Sequence, residues 1–163
     1  MNFILDDNQI TIKSNLSISE IERKYEKIDY EYEKFYCIDI EDLNKNQILK
    51  KAIGYNSINE PTFCYSSSVK GFQIISDEYL LIYDSEYKEY KLEFMLPIIS
   101  LFYSNEFIYV IYEIGLAKVS VFTKKIIFNK NFSDTVEDFN IDKDTNMVII
   151  SLSGDNQENI DLS

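Results

Sequence analysis

Residues 76–112 read SDEYLLIYDSEYKEYKLEFMLPIISLFYSNEFIYVIY. Three apolar runs, YLLIY (79–83), IISLFY (98–103) and FIYVIY (107–112), are set apart by the polar breaks SDE, DSEYKE and SNE. Each run is short, and Tyr, Phe and Ile suit a pleated, half-buried surface. The stretch therefore predicts short antiparallel strands joined by tight turns. YLLIY and FIYVIY lack alternation and are expected to be central strands buried on both faces. YKLEF (90–94) alternates, as does LAKVSVF (116–122) further on, so each of these is expected to have one wet face. The heptapeptides SDEYLLI (76–82) and SNEFIYV (104–110) match in residue type at a spacing of 28, and Phe94 and Phe122 keep the same offset.

The same grammar runs outward from Pro61 to the C-terminus. Apolar segments recur as FCY (63–65), FQII (72–75), KIIF (125–128), VEDFNI (136–141), MVIISL (147–152) and NIDL (159–162), besides those named above. Breaks fall about every 8–12 residues, the spacing of an antiparallel sandwich, barrel or propeller-like sheet. With 4 Gly and 2 Pro in 163 residues, the turns must rely on Asn, Asp and Ser.

The first 60 residues are mixed. NFIL (2–5) and QITIK (9–13) read as a small hairpin. Ser17 and Glu20 have capping-box spacing, Leu16 and Ile21 stand at staple positions, and Ile18, Ile21, Tyr25 and Ile28 follow a helical period, predicting a helix over 18–27. From Ile28 the period changes to two. Ile28, Tyr30, Tyr32, Tyr36, Ile38 and Ile40 would form a buried face, and Asp29, Glu31, Glu33, Asp39 and Glu41 an acidic outer one, with a bulge or turn near Lys34. DLNKNQILKKAIG predicts a second helix over 43–53, with Asp42 as N-cap, Lys50 and Lys51 in the last turn and Gly54 at C′. The expected class is mainly β (α+β): an antiparallel meander or sandwich-like sheet of many short strands with two N-terminal helices, in one domain of residues 1–163 with a mixed part (1–60) and a β part (61–163). A partial β-propeller-like arrangement is the alternative.

Composition narrows the chemistry. The chain has no His, which removes Ser-His-Asp and Cys-His catalysis and histidine metal sites. Two separate cysteines, Cys37 and Cys64, do not make a Cys₄ zinc site and are expected as free, buried thiols. Four scattered glycines leave no phosphate loop or dinucleotide fingerprint. Asp142, Asp144 and Asn146 stand at the 1, 3 and 5 positions of a calcium loop. Met147 and Ser153 replace its Gly and bidentate Glu, however, so DKDTN reads as a hairpin turn. No metal, cofactor or catalytic residue is expected, and the chain reads as a non-enzyme. A paired-carboxylate hydrolase has no positioned constellation to support it.

The net charge is −12, and residues 134–163 hold eight acids against Lys143 alone. Such a field repels phosphate backbones and anionic lipid and draws cationic partners in. Nucleic acid and membrane are therefore not expected as partners. The N-terminus lacks a signal peptide's basic and long apolar regions, which predicts a cytoplasmic protein. Two stretches place acids beside tyrosines: IDYEYEKFY (28–36), with Glu31 and Glu33, and DSEYKEY (84–90), with Asp84, Glu86, Tyr87, Glu89 and Tyr90. Asp142, Asp144, Asp155 and Glu158 extend the acidic surface toward the C-terminus. Tyrosine is a low-entropy contact residue, and carboxylates beside it complement Lys or Arg.

In size, acidity, absence of catalytic residues and these two acid–tyrosine patches, the chain resembles the immunity proteins of bacterial polymorphic and contact-dependent toxin systems. Abundant Ile, Asn, Lys, Tyr and Phe also suit an AT-rich bacterial genome. The resemblance implies a small cytoplasmic inhibitor, monomeric before binding, that occludes the active site of a basic, nuclease-like toxin domain. The alternative is a structural or scaffolding protein forming a homo-oligomer through a sheet edge.

Overall fold

The computed structural model describes residues 2–5, 8–22, 25, 32, 34–42, 47–55, 60–66, 69–142, 145–154 and 156–162. The chain divides into two compact units, Met1–Thr62 and Phe63–Ser163. Strands dominate both. Among the described residues they form four antiparallel sheets of consecutive strands, none closed into a barrel.

In the first unit, β1 (Asn2–Leu5), β2 (Asn8–Leu16), β3 (Lys34–Asp42) and β4 (Gln47–Tyr55) form one meander in chain order. The β1–β2 hairpin is the expected one. The first helix is shorter than its periodicity suggests: α1 spans Ile18–Ile21. The Ser17 N–H donates to Glu20 Oε2 at 2.8 Å, and this bond holds the Glu20 carboxyl below its ordinary pKa. Leu16 packs on the cluster around Ile21, as a staple should. The Tyr25 N–H still donates to the Ile21 carbonyl at 3.2 Å; residues 26–27 lie outside the described residues.

Two expectations are corrected here. The segment read as a second helix is strand β4, paired along its length with β3 from Asp42↔Gln47 to Lys34↔Tyr55. Gly54 is not a helix cap. A Cβ on it would lie 2.3 Å from the Tyr32 ring, so glycine makes room for the tyrosine that packs there. Lys50 stands opposite Asp39 across the ladder rather than at a helix end. The acidic outer face is only partly as expected: Glu41 is exposed, Asp39 is half-buried, and Asp29, Glu31 and Glu33 lie outside the described residues. Tyr36, Ile38 and Ile40 are buried as expected, but Phe35 and Cys37 are buried too, against Ile21 and Tyr25. Asp39 accepts a bond from the Tyr25 hydroxyl at 3.0 Å. The irregularity expected near Lys34 sits in the opposite strand, between Lys13 and Leu16. There Asn15 adopts a left-handed φ of 55° and accepts a bond from the Tyr55 hydroxyl at 2.9 Å.

The second unit follows the sequence grammar. Each of the eleven apolar segments after Pro61 becomes a strand: β5 (Thr62–Ser66), β6 (Val69–Ser76), β7 (Tyr79–Asp84), β8 (Glu89–Glu93), β9 (Ile98–Ser104), β10 (Phe107–Tyr112), β11 (Gly115–Ser120), β12 (Ile126–Asn131), β13 (Val136–Asp142), β14 (Met147–Leu152) and β15 (Asn156–Asp161). They build the meanders β5–β8, β9–β12 and β13–β15. One face of β9–β12 packs Ile108, Val110, Tyr112, Ala117 and Val119 against Leu80 and Ile82 of β7. The other packs Phe102, Tyr109, Ile111 and Leu116 against Val148, Ile150, Leu152 and Ile160. This stacking of consecutive meanders is also how propeller blades pack.

Burial on both faces explains the unbroken runs YLLIY and FIYVIY: Leu80–Tyr83 and Ile108–Tyr112 are buried throughout. β8 alternates between exposed and half-buried residues, as expected. β11 does not. It lies between β10 and β12, Ser120 is buried, and the Lys118 ammonium lies 4.2 Å from the Phe107 ring centroid and 5.5 Å from that of Tyr109. Lysine's aliphatic stem and ring-facing charge let it sit on a covered face, which alternation alone does not reveal.

The 28-residue echo has a structural cause. Asp77 and Asn105 each open a two-residue hairpin loop with left-handed φ, 44° and 53°. The next residue's carbonyl, of Glu78 or Glu106, accepts a bond from the N–H of Phe94 (2.6 Å) or Val121 (3.1 Å). Asp and Asn supply the left-handed residue that scarce glycine does not.

Candidate functional site

The DSEYKEY stretch forms the β7–β8 hairpin. Its first acid closes the loop: Asp84 Oδ1 accepts from the N–H groups of Glu86 (2.9 Å) and Lys88 (3.0 Å). The Asp84 carbonyl accepts from the Tyr87 N–H at 3.0 Å, and the Tyr90 hydroxyl donates to Asp84 Oδ2 at 3.4 Å. The buried Tyr83 hydroxyl donates to the Glu89 carboxylate. Burial, then that bond, pushes the Tyr83 phenol well above its ordinary range. The Lys88 ammonium lies 5.2 Å from the Tyr90 ring centroid.

The expected surface residues thus divide by role. Asp84, Glu89 and Tyr90 bind the hairpin to itself. Glu86 is exposed at the tip, and Tyr87 beside it is half-buried with φ +62°. That left-handed conformation costs a side-chain-bearing residue roughly 1–2 kcal/mol. A tyrosine held there is an outlier of the kind that gathers at functional positions.

The structure adds a residue that the strand pattern concealed. Phe122, read as the end of LAKVSVF, lies in the turn after β11 and is 72% exposed. Lys124 of the same turn feels the charge of Asp84. Partial burial lowers the Lys124 pKa, and the Asp84 carboxylate opposes that shift. Phe122 and Lys124 share this turn, and only Lys124 is tied to the acid–tyrosine hairpin, through the charge of Asp84. Tyrosine and phenylalanine are enriched at interface centres, whereas acids suit the polar rim.

The remaining acids are placed elsewhere. Asp142 Oδ1 accepts from the Thr145 N–H at 3.3 Å and helps shape the β13–β14 loop. Glu158 pairs with Lys130 at 2.9 Å. Glu31, Glu33, Asp144 and Asp155 lie outside the described residues. Among the described residues no cluster of three Cys, Asp or Glu is arranged to hold a metal ion. Nor is any helix among them long and apolar enough to cross a membrane. Cys37 and Cys64 are not in a disulfide; Cys37 is buried, and Cys64 is half-buried with its pKa pushed up to about 11 by desolvation. No protein-family model matches the chain, and the search of curated proteins finds no match.

Proposed function

We propose that this chain is a non-catalytic binding protein of the toxin-immunity kind, which engages a basic protein domain through Glu86, Tyr87 and Phe122. The observation that carries this reading is Tyr87, held in a left-handed conformation at the tip of a hairpin that Asp84 locks. A preorganised aromatic loses little entropy on binding, and Phe122 supplies exposed apolar area. The net charge of −12 would speed encounter with a cationic partner, and Glu86 would set its orientation.

The test is growth of cells expressing the C-terminal domain encoded immediately upstream, with and without this protein. Rescue and a co-purifying complex support the reading; a harmless neighbour that does not bind removes it.

A second reading, self-association through a sheet edge, draws on β12. This edge strand exposes Ile126, Ile127 and Phe128. It is blunted, however, by Lys124, Lys125 and Lys130 and by a register shift between its partners Lys118 and Val119. Light scattering separates the two readings: a monomer fits the inhibitor, a closed oligomer the scaffold.

A further inference from the structure

The three sheets of the second unit end in chain order on β8, β12 and β15. β8 exposes Glu89, Lys91 and Glu93, and β15 exposes only polar and acidic side chains. Side chains of this kind keep a sheet edge from pairing with other chains. β12 is different. Ile126, Ile127 and Phe128 follow one another along it, 38%, 53% and 45% exposed.

The strand is held ready to pair. Among the described residues no backbone bond reaches β12 from the side away from β11. The Phe132 N–H donates to the Ile114 carbonyl at 2.7 Å, so these two residues form a hydrogen-bonded pair of the β11–β12 ladder. Such pairs alternate with non-bonded ones along an antiparallel ladder. Lys130 and Phe128 therefore turn their backbone groups to β11, and Asn131 and Asn129 turn theirs outward. The side chains of the same two asparagines are anchored inward. The Tyr112 hydroxyl donates to Asn129 Oδ1 at 2.7 Å and to Asn131 Oδ1 at 2.5 Å. Gly115 of β11 clears the path, because a Cβ there would lie 2.3 Å from the Tyr112 hydroxyl oxygen. An edge fixed in this way has little entropy left to lose on binding.

Charge selects the occupant. Residues 114–133 hold Lys118, Lys124, Lys125 and Lys130 and no acid, on a chain of net charge −12. Lys118 lies over aromatic rings, Lys130 pairs with Glu158, and Lys124 feels Asp84. Lys125 is exposed and has no ion-pair partner among the described residues. We propose that β12 takes, as an added strand, an extended segment of a partner protein in which apolar residues are flanked by Asp or Glu. The apolar residues lie along Ile126–Phe128, and an acid sits beside Lys125. The chain's wider negative field is screened beyond about 8 Å at physiological salt, so the docked acid meets Lys125 first. A second copy is the poorer occupant, since it brings the same lysines to the edge and the same net charge opposes its approach. An anionic membrane has no use for the outward backbone groups of Asn129 and Asn131. The edge includes none of Glu86, Tyr87 and Phe122, and its occupancy does not depend on the reading given to them.

The experiment titrates the full, isotope-labelled chain with a synthetic peptide of about eight residues, alternating Val and Thr with Glu at both ends. The controls are the same peptide ended with Lys and one with Pro at its centre, which lacks the backbone donors of an added strand. The proposal expects saturable amide shifts centred on residues 125–131, with slowed exchange of the Asn129 and Asn131 amides. Ile127→Lys should weaken binding by about tenfold or more while melting as the parent does. Lys125→Glu should weaken the Glu-ended peptide and not the Lys-ended one. Equal binding of either control, shifts centred elsewhere, or no saturable binding would overturn the proposal. So would Ile127→Lys binding like the parent, a closed dimer that already protects the β12 amides, or binding of phosphatidylserine vesicles in place of the peptide. None of these results depends on whether the upstream domain is a partner.

Discussion

Two hairpins look alike in sequence, and the structure sets them apart. At 84–90 and again at 142–147 an apolar strand ends in Asp and the chain turns through polar residues. In both, that Asp accepts a backbone N–H from its own loop. At 84–90 the bonds are two, at 2.9 and 3.0 Å, with a tyrosine hydroxyl as a third partner. At 142–147 the described bond to Asp142 is longer, at 3.3 Å. The first hairpin is a braced platform that presents Glu86 and Tyr87; of the second, the described residues show the Asp142–Thr145 bond. An acid's place in its loop decides whether it holds the fold or faces a partner.

The largest expected effect separates the hairpins by pH. Burial raises the phenol pKa of Tyr83, and of Tyr25 and Tyr103 elsewhere, above the ordinary value near 10. Tyrosines of the unfolded chain ionise first as pH rises. The stability these groups contribute is thus intact below about pH 10 and lost progressively above it. Melting temperature should fall steeply there, as tyrosinate absorbance appears with unfolding. Tyr83→Phe should flatten the slope, and no substitution at 142–147 should do so.

Next comes the brace. Asp84→Ala should cost about 1.5–3 kcal/mol in denaturant unfolding, since it strands hydrogen bonds made to a charged acceptor. Asp142→Ala should cost about 0.5 kcal/mol. Equal losses would erase the distinction between the hairpins.

A smaller change should have the opposite sign. Tyr87→Gly relieves the left-handed strain and should stabilise the fold by about 1 kcal/mol, while weakening partner binding. A variant that loses stability as well would show that Tyr87 serves the core instead.

The β architecture was legible because it rests on local signals. Short runs, polar breaks and double-sided burial identify β5–β15, and Asp77 and Asn105 mark their loops. What misled was ambiguity of period and of role. ILKKAIG fits a helix cap as well as a strand until Gly54 is found under Tyr32. Asp39 looks like part of an outer face until the Tyr25 hydroxyl is found bonded to it. Within the candidate site, Glu86 and Tyr87 were visible in DSEYKEY, whereas Phe122 was hidden by an apparent strand ending. The exposed run Ile126–Phe128 did carry a signal: lysines flank an apolar segment that does not alternate, the mark of a guarded edge.

The most direct test is the association rate with the cognate basic domain, measured from about 0.01 to about 0.15 M salt. The account predicts a rate that falls steeply with salt, falls again in Glu86→Lys, and is accompanied by faster dissociation in Phe122→Ala. A complex whose association ignores both salt and Glu86→Lys, and whose dissociation ignores Phe122→Ala, would contradict it.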